Sequence, residues 1–131
     1  MTTLVEEINA ALSALAPAGG VWVMVNTAES GAFPYIVFQR IVSTTNASLG
    51  GPSNVQNTRV QVDVFDRQYR NAASLAAQVQ ASLLATFSSY PKSCVPISAF
   101  DGYEEAIKAY RVSADFSIWY DESSGLVIGG V

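Results

Sequence analysis

Apolar residues recur at helical spacing near the start of the chain. Leu4, Ile8, Leu12 and Leu15, with Val5 and Ala11, form one stripe. Thr3 and Glu6 fit a capping box, in which each side chain satisfies the other's free backbone amide. Pro17, Gly19 and Gly20 end the pattern, so the spacing predicts a helix over 3–15. A second helical pattern places Ala72, Leu75, Ala76, Val79, Leu83 and Phe87 on one face and predicts a helix over 69–87.

Between and after these helices the period changes to two. Arg59 to Phe65 alternates polar and apolar residues, the mark of a strand with one wet and one dry face. Tyr110 to Tyr120 is the clearest strand. Tyr110, Val112, Ala114, Phe116, Ile118 and Tyr120 face one way, and Arg111, Ser113, Asp115 and Ser117 the other. Trp119 interrupts that wet face, which hints at a contact there. Val21 to Val25 is β-branched and apolar throughout, as in a strand covered on both sides. Tyr35 to Thr44 predicts another strand of ambiguous facing, because Gln39 and Arg40 fall on opposite alternate sets. Val95 to Tyr103 predicts one more. Asp101-Gly102 is a possible turn, but a turn near Glu104 to Lys108 suits the length of the next strand better.

Thr45 to Asn57 is polar and rich in Gly and Ser, with Leu49, Gly50 and Gly51 at its middle. It reads as a connection too long for a tight hairpin, serving either as a loose tip or as a partner-binding arm. The tail from Asp121 to Val131 carries Leu126, Val127 and Ile128 after a Gly/Ser linker, and is either frayed or docked on a neighbouring subunit. The expected layout is one domain over 1–120 with a tail over 121–131. Element order is helix, three strands, helix, two strands. The expected fold class is α+β: an antiparallel sheet of four to five strands with both helices on one face.

Composition adds a reason to look for partners. Half of the 131 residues are hydrophobic and only 14% are charged, against roughly 25% in an average soluble domain. A small core has limited room for that surplus, which suggests subunit contacts, although a well-buried monomer also accommodates it. The net charge is −4, and the seven basic residues form no run. Phosphate binding is therefore not expected. No basic and then apolar leader opens the sequence, so the protein is expected in the cytosol when made.

Candidate chemistry is sparse. The chain has no histidine, and Cys94 is its single cysteine. Cys94 reads as a half-buried structural thiol without an activating base. Asp63, Asp66, Asp101, Glu104 and Glu105 show no metal-ligand spacing. Lys92 and Lys108 lie in no serine–lysine motif, and no phosphate loop follows Gly50-Gly51-Pro52. No catalytic residue, cofactor or metal is expected. Arg59 with Asp63, and Arg111 with Asp115, share strand faces and would form cross-strand ion pairs if their strands were neighbours. Arg67 and Arg70, at the strand–helix junction, are candidates to pair with acids on another subunit.

Pro34 to Phe38, the polar stretch after it, Arg59 to Asp66, the Ala-rich helix and Tyr110 to Tyr120 together resemble the tail completion, or tail terminator, proteins of long-tailed bacteriophages and prophages. The resemblance spans nearly the whole chain, and its motifs are structural. It implies a subunit of a ring, usually a hexamer, seated on the last ring of the tail tube. Such a ring stops tube growth and offers a surface to the head–tail connector or stopper protein. Genomic DNA passes through its lumen without specific binding. The implied location is the virion tail or neck, after assembly in the host cytoplasm. An acidic subunit suits a DNA conduit. The other readings are a different neck protein on the portal side and a small enzyme or ligand-binding domain with a deep polar pocket.

Overall fold

A computed structural model describes residues 3–23, 32–48, 51–89 and 92–121. The elements run α1 (Leu4–Ser13), β1 (Val21–Val23), β2 (Tyr35–Ser48), β3 (Gly51–Asp66), α2 (Tyr69–Thr86), β4 (Ser93–Glu104) and β5 (Ala109–Asp121). The five strands form one sheet in the order β1-β2-β3-β5-β4. This is the expected α+β class and element order.

α1 starts where the capping box places it. The Glu6 amide donates to Thr3 Oγ1 at 3.2 Å, and the Thr3 amide donates to Glu6 Oε1 at 2.9 Å. The bond from the Thr3 amide, and then one from the Thr3 hydroxyl to Glu6 Oε1 at 3.1 Å, hold the Glu6 carboxyl below its ordinary range. Leu4, Ile8 and Leu12 are wholly buried. Each contributes roughly 2 kcal/mol by leaving water. α2 runs alongside, with Ala72, Leu75, Val79 and Leu83 buried. Ser82 Oγ donates to the Ala11 carbonyl at 3.3 Å and ties the two helices at their sides, and Lys92, just before β4, pairs with Glu7 of α1 at 3.0 Å.

Both helices cover the same face of the sheet. That face carries Ile36 and Phe38 of β2, Val60, Val62 and Val64 of β3, and Val112, Phe116, Ile118 and Tyr120 of β5, all in one core cluster. The expected facing of β5 is therefore observed. The Tyr120 hydroxyl donates to Gln56 Oε1 at 2.9 Å and lies 3.0 Å from the Thr58 hydroxyl. A buried phenol is thus provided with polar partners where the core reaches the end of the sheet.

Three expectations need correction. First, the sheet is mixed: β1 pairs parallel to β2, with Val21 opposite Ile36 and Val23 opposite Phe38. A parallel neighbour needs a crossover of about a dozen residues, and the residues 24–34 between the two strands supply that length. Second, β1 is not covered on both sides, since Val23 is exposed; Met24 and Val25 lie outside the described residues. Third, most of the stretch from Thr45 to Asn57 is not a loop. β2 and β3 continue through it as a hairpin ladder, with Thr45 opposite Gln56 and Ser48 opposite Gly51. The register shifts between Thr45 and Ala47, and pairing resumes at Ala47 opposite Pro52, so the polar stretch is extended and paired with one irregularity. The Asp101-Gly102 pair also lies inside β4, and the turn falls between Glu104 and Ala109, where the other expectation put it.

The ambiguous facing of β2 turns on Arg40, which stands opposite the buried Val60 in the same set as Ile36 and Phe38, while Gln39 belongs to the other set. The register with β3 shifts between Arg40 and Val42, leaving Ile41 as an extra residue. β4 has the same feature between Pro96 and Ser98, leaving Ile97 extra against β5. Alternation is broken at both points.

The chain between α1 and β1 is held by a close backbone approach. The Gly19 amide donates to the Pro34 carbonyl at 2.7 Å, and the Trp22 indole donates to the Gly19 carbonyl at 2.8 Å. A Cβ at Gly19 would collide with the Ala32 carbonyl and sit 2.8 Å from Tyr35 Cβ. Gly20 has φ +88°, in the region that favours glycine.

Packing of this kind makes a direct prediction. Phe116→Ala removes a fully buried ring at the centre of the sheet and is expected to lower unfolding free energy by about 3–5 kcal/mol. Denaturant titration measures it, and a loss below about 1 kcal/mol would contradict the assigned core.

Candidate assembly surface

The face of the sheet turned away from the helices is uncovered among the described residues. Its side chains come from the odd-numbered positions of β3 and β5, whose ladder runs from Val55 opposite Asp121 to Asp66 opposite Tyr110. Arg59 pairs with Asp115 at 3.0 Å, as the sequence expectation required of neighbouring strands. Arg111 pairs with Glu104 of β4 at 3.1 Å rather than with Asp63. Asn57 Nδ2 donates to Ser117 Oγ at 2.7 Å, and Gln61 Nε2 donates to Asp63 Oδ1 at 3.1 Å. Exposed pairs of this kind contribute under about 1 kcal/mol each, so they set the pattern of the surface more than its stability.

Aromatic rings border this polar ladder at one end. Tyr35 and Phe65 stack at 4.8 Å, and Phe33 lies 5.4 Å from Tyr35. The Arg67 guanidinium sits 4.8 Å above Phe33, a cation–π contact. On the helix side of the same end, Tyr110 packs edge-on to Tyr69 at 5.9 Å and to Tyr103 at 5.0 Å. The Tyr69 hydroxyl donates to Asp101 at 2.6 Å, and that hydrogen bond raises the Tyr69 pKa above its ordinary value.

Beneath this face, Arg111 Nε, Ser113 Oγ and Asp115 Oδ1 are buried without a hydrogen-bond partner among the described residues. They occupy alternate positions of β5, so they form a row on the uncovered side. A buried polar atom without a partner costs about 1–3 kcal/mol. The row is incomplete in an isolated subunit.

The residues singled out in the sequence do not form one site. Arg67 and Arg70 lie together at the β3–α2 junction, both exposed. Asp66 Oδ1 accepts from the Gln68 amide at 3.0 Å and shapes that junction. Trp119 is half-buried near the opposite end of β5, level with Asn57 and Ser93. Nine residues of strand, roughly 30 Å, separate its level from that of Tyr110. Gly51 pairs with Ser48 at the hairpin end. Leu49, Gly50, Leu126, Val127 and Ile128 lie outside the described residues.

Sequence reasoning missed the apolar side chains along β4. Val95, Ile97, Phe100 and Tyr103 are all exposed on this edge strand. The signal was available: apolar residues stand at both parities there, so one set had to face away from the core.

Among the described residues no group of His, Cys, Asp and Glu could hold a metal ion, and no helix is long and apolar enough to cross a membrane. An open cleft of about 400 Å³ between the α1–β1 turn and α2 is lined by Leu15, Pro17, Pro34, Asn71, Ser74 and Gln78 among others, with no acid or base. Cys94 is buried, and loss of hydration pushes its thiol from 9.0 up to about 11.

The family profile of tail completion protein gp17 matches residues 4–121. The chain belongs to that family. It is thus a structural protein of the phage tail and neck. The match covers every element from α1 to the end of β5. The fold is also similar to a chain in the virion of a native gene transfer agent particle, at a TM-score of 0.61 and 16% identity over 84% of each chain. At that identity the likeness speaks for the fold. No curated protein sequence matches the chain.

The Cys94 environment gives a prediction. Its folded pKa lies above the unfolded one, so its contribution to stability is whole below about pH 9 and declines as pH rises toward about 11. At pH 8 the native thiolate fraction is about a hundredth of that in the unfolded chain. Alkylation by iodoacetamide is expected to be slower in the native protein by at least that factor. A native rate within about tenfold of the unfolded chain's would contradict a buried, unactivated thiol.

Proposed function

We propose that this tail completion protein assembles into a ring, a hexamer, that caps the phage tail tube, ends its polymerisation and presents the surface to which the head connector or stopper protein joins. The observation that carries the reading is the one-sided core: two helices cover one face of the sheet, while the other face and an apolar edge strand are left for contacts. A ring interface is heterologous, with one patch meeting a different patch on the next copy. A domain with unlike free surfaces supplies that.

The net charge of −4 supports passage of DNA through the lumen without specific binding, because phosphate neutralisation needs clustered cations. The protein acts in the virion after assembly in the host cytoplasm. It makes and breaks no bond. Leu49, Gly50, Gly51, Trp119, Leu126, Val127 and Ile128 are its candidate contacts to subunit, tube or neck.

Native mass measurement on the purified protein, alone and bound to tail tubes, is expected to give a closed ring. Deleting its gene is expected to give headless tails of abnormal length. A monomer on assembled tubes, or normal tails without the gene, would overturn the reading.

Arg67 and Arg70 are proposed to pair with acids of the adjacent subunit, Arg67 from its seat over Phe33. The double variant Arg67→Ala, Arg70→Ala is expected to weaken assembly at least about tenfold at low salt, with a smaller difference at high salt. Unchanged assembly would remove this pairing and leave the ring itself standing.

A further inference from the structure

We infer that the ring interface is formed by the two free edges of the sheet, with Ile41 on β2 of one copy packed against Val95 and Ile97 on β4 of the next. The inference rests on the ring reading and names the surfaces that make it.

The sheet order leaves β4 at one edge. At the other, β1 covers only Ile36 to Phe38 of β2, so from Gln39 onward β2 has no strand outside it among the described residues. Both edges therefore leave strand backbone without an outer partner over a long stretch of the described residues. β2 is antiparallel to β3, β3 to β5, and β5 to β4, so the two edge strands run in opposite directions. Copies related by rotation about an axis along the strands bring β4 of one beside β2 of the next, antiparallel.

Each edge carries one bulged isoleucine, and both are exposed: Ile41 at 44% and Ile97 at 46%. Val95, at 52%, flanks the second. The strand registers place them on a common level. Arg40 stands opposite Val60, Val60 opposite Phe116, and Phe116 opposite Pro96. Ile41 follows Arg40 toward the level of Val95, and Ile97 follows Pro96 the other way because β4 runs opposite to β2, so the two bulges flank this level about one residue step apart, roughly 3.3 Å, within reach of their side chains. A closed ring is a rotation without rise, and such an operation joins surfaces at the same height. An exposed apolar side chain on one edge thus meets exposed apolar side chains on the other.

Bulges and a proline on an edge work against continuous ladder pairing. Pro96 and the two bulges interrupt the hydrogen-bonding rows at this level, so the contact is side chain to side chain. Bulges also increase local twist and bend a strand, which curls the sheet toward closure. The favoured partner is a second copy of this chain, because the complementary patch, direction and height are all present on the chain itself.

The double variant Ile41→Cys, Ile97→Cys in a Cys94→Ser background tests the assignment under mild oxidation on purified protein or on tail tubes. A ladder of covalent multimers up to the ring size is expected, with no cross-link from either single-site variant. Ile97→Lys, which replaces an exposed side chain, is expected to raise the concentration needed for assembly at least about tenfold with an unchanged circular dichroism spectrum. A ring that forms without double-variant cross-links would overturn this interface while leaving the ring. Covalent dimers from the Ile97→Cys single-site variant would show that β4 meets β4 and would also overturn it. A monomer on tubes would overturn both the interface and the ring.

Discussion

The structure depends on one constraint: two short helices cover a single face of a long, strongly paired sheet. Leu4, Ile8 and Leu12 of α1, with Leu75, Val79 and Leu83 of α2, close over Ile36, Phe38, Val62 and Phe116. Everything apolar that the core can take lies on that side. The remaining face is stitched by charge and amide pairs between β3 and β5, such as Arg59 with Asp115 and Asn57 with Ser117. Such pairs add little to stability in water, but they make a regular surface. The helices fix which side chains are left outside, so the interaction surface follows from the core.

That division also explains why a chain so rich in apolar residues needs partners. An isolated subunit keeps Val95, Ile97, Phe100 and Tyr103 in water along one edge. It also keeps an unpaired row at Arg111 Nε, Ser113 Oγ and Asp115 Oδ1 on the uncovered face. Both features are unfavourable in a monomer, by lost hydrophobic burial and by lost hydrogen bonds. Both are relieved by contact with other proteins. A tail completion protein works inside a stacked particle, where such contacts are the function.

Much of the fold was legible because local signals agreed. The Thr3–Glu6 box set the start of α1, and strict alternation in Tyr110 to Tyr120 set the facing of β5. The Arg59–Asp115 pair followed once those strands were taken as neighbours. Where the sequence misled, a tertiary feature had replaced a local one. Arg40 occupies a core-side position of β2 opposite Val60, so its facing is ambiguous in the sequence, and the bulge at Ile97 breaks the period of two in β4 and hides its outward side chains. The ladder through Thr45 and Gln56 is held by backbone pairing between strands, which leaves no trace in side-chain polarity. The parallel pairing of β1 depends on how the chain returns between Val23 and Tyr35, and short-range patterns do not encode that. Of the residues proposed for contacts, Arg67 and Arg70 share a junction and Trp119 lies far from them. Sequence spacing marked them as unusual without bringing them together.

The same devices that protect the sheet edges account for controlled association. A long free edge invites indefinite strand addition and aggregation. Pro96 removes a backbone donor, and the bulges at Ile41 and Ile97 disrupt the rows on either side. Generic pairing with any extended chain is thereby hindered, while exposed isoleucine and valine side chains still favour burial. What remains is an edge that discriminates by side-chain fit, which a strand ladder alone does not do. Under the head-to-tail arrangement, the bulges flank one level of the sheet within about one residue step, which allows closure without rise, whereas a large offset would generate an open helical polymer. Under the proposed role of ending tube growth, the protein has to avoid that outcome in its own assembly.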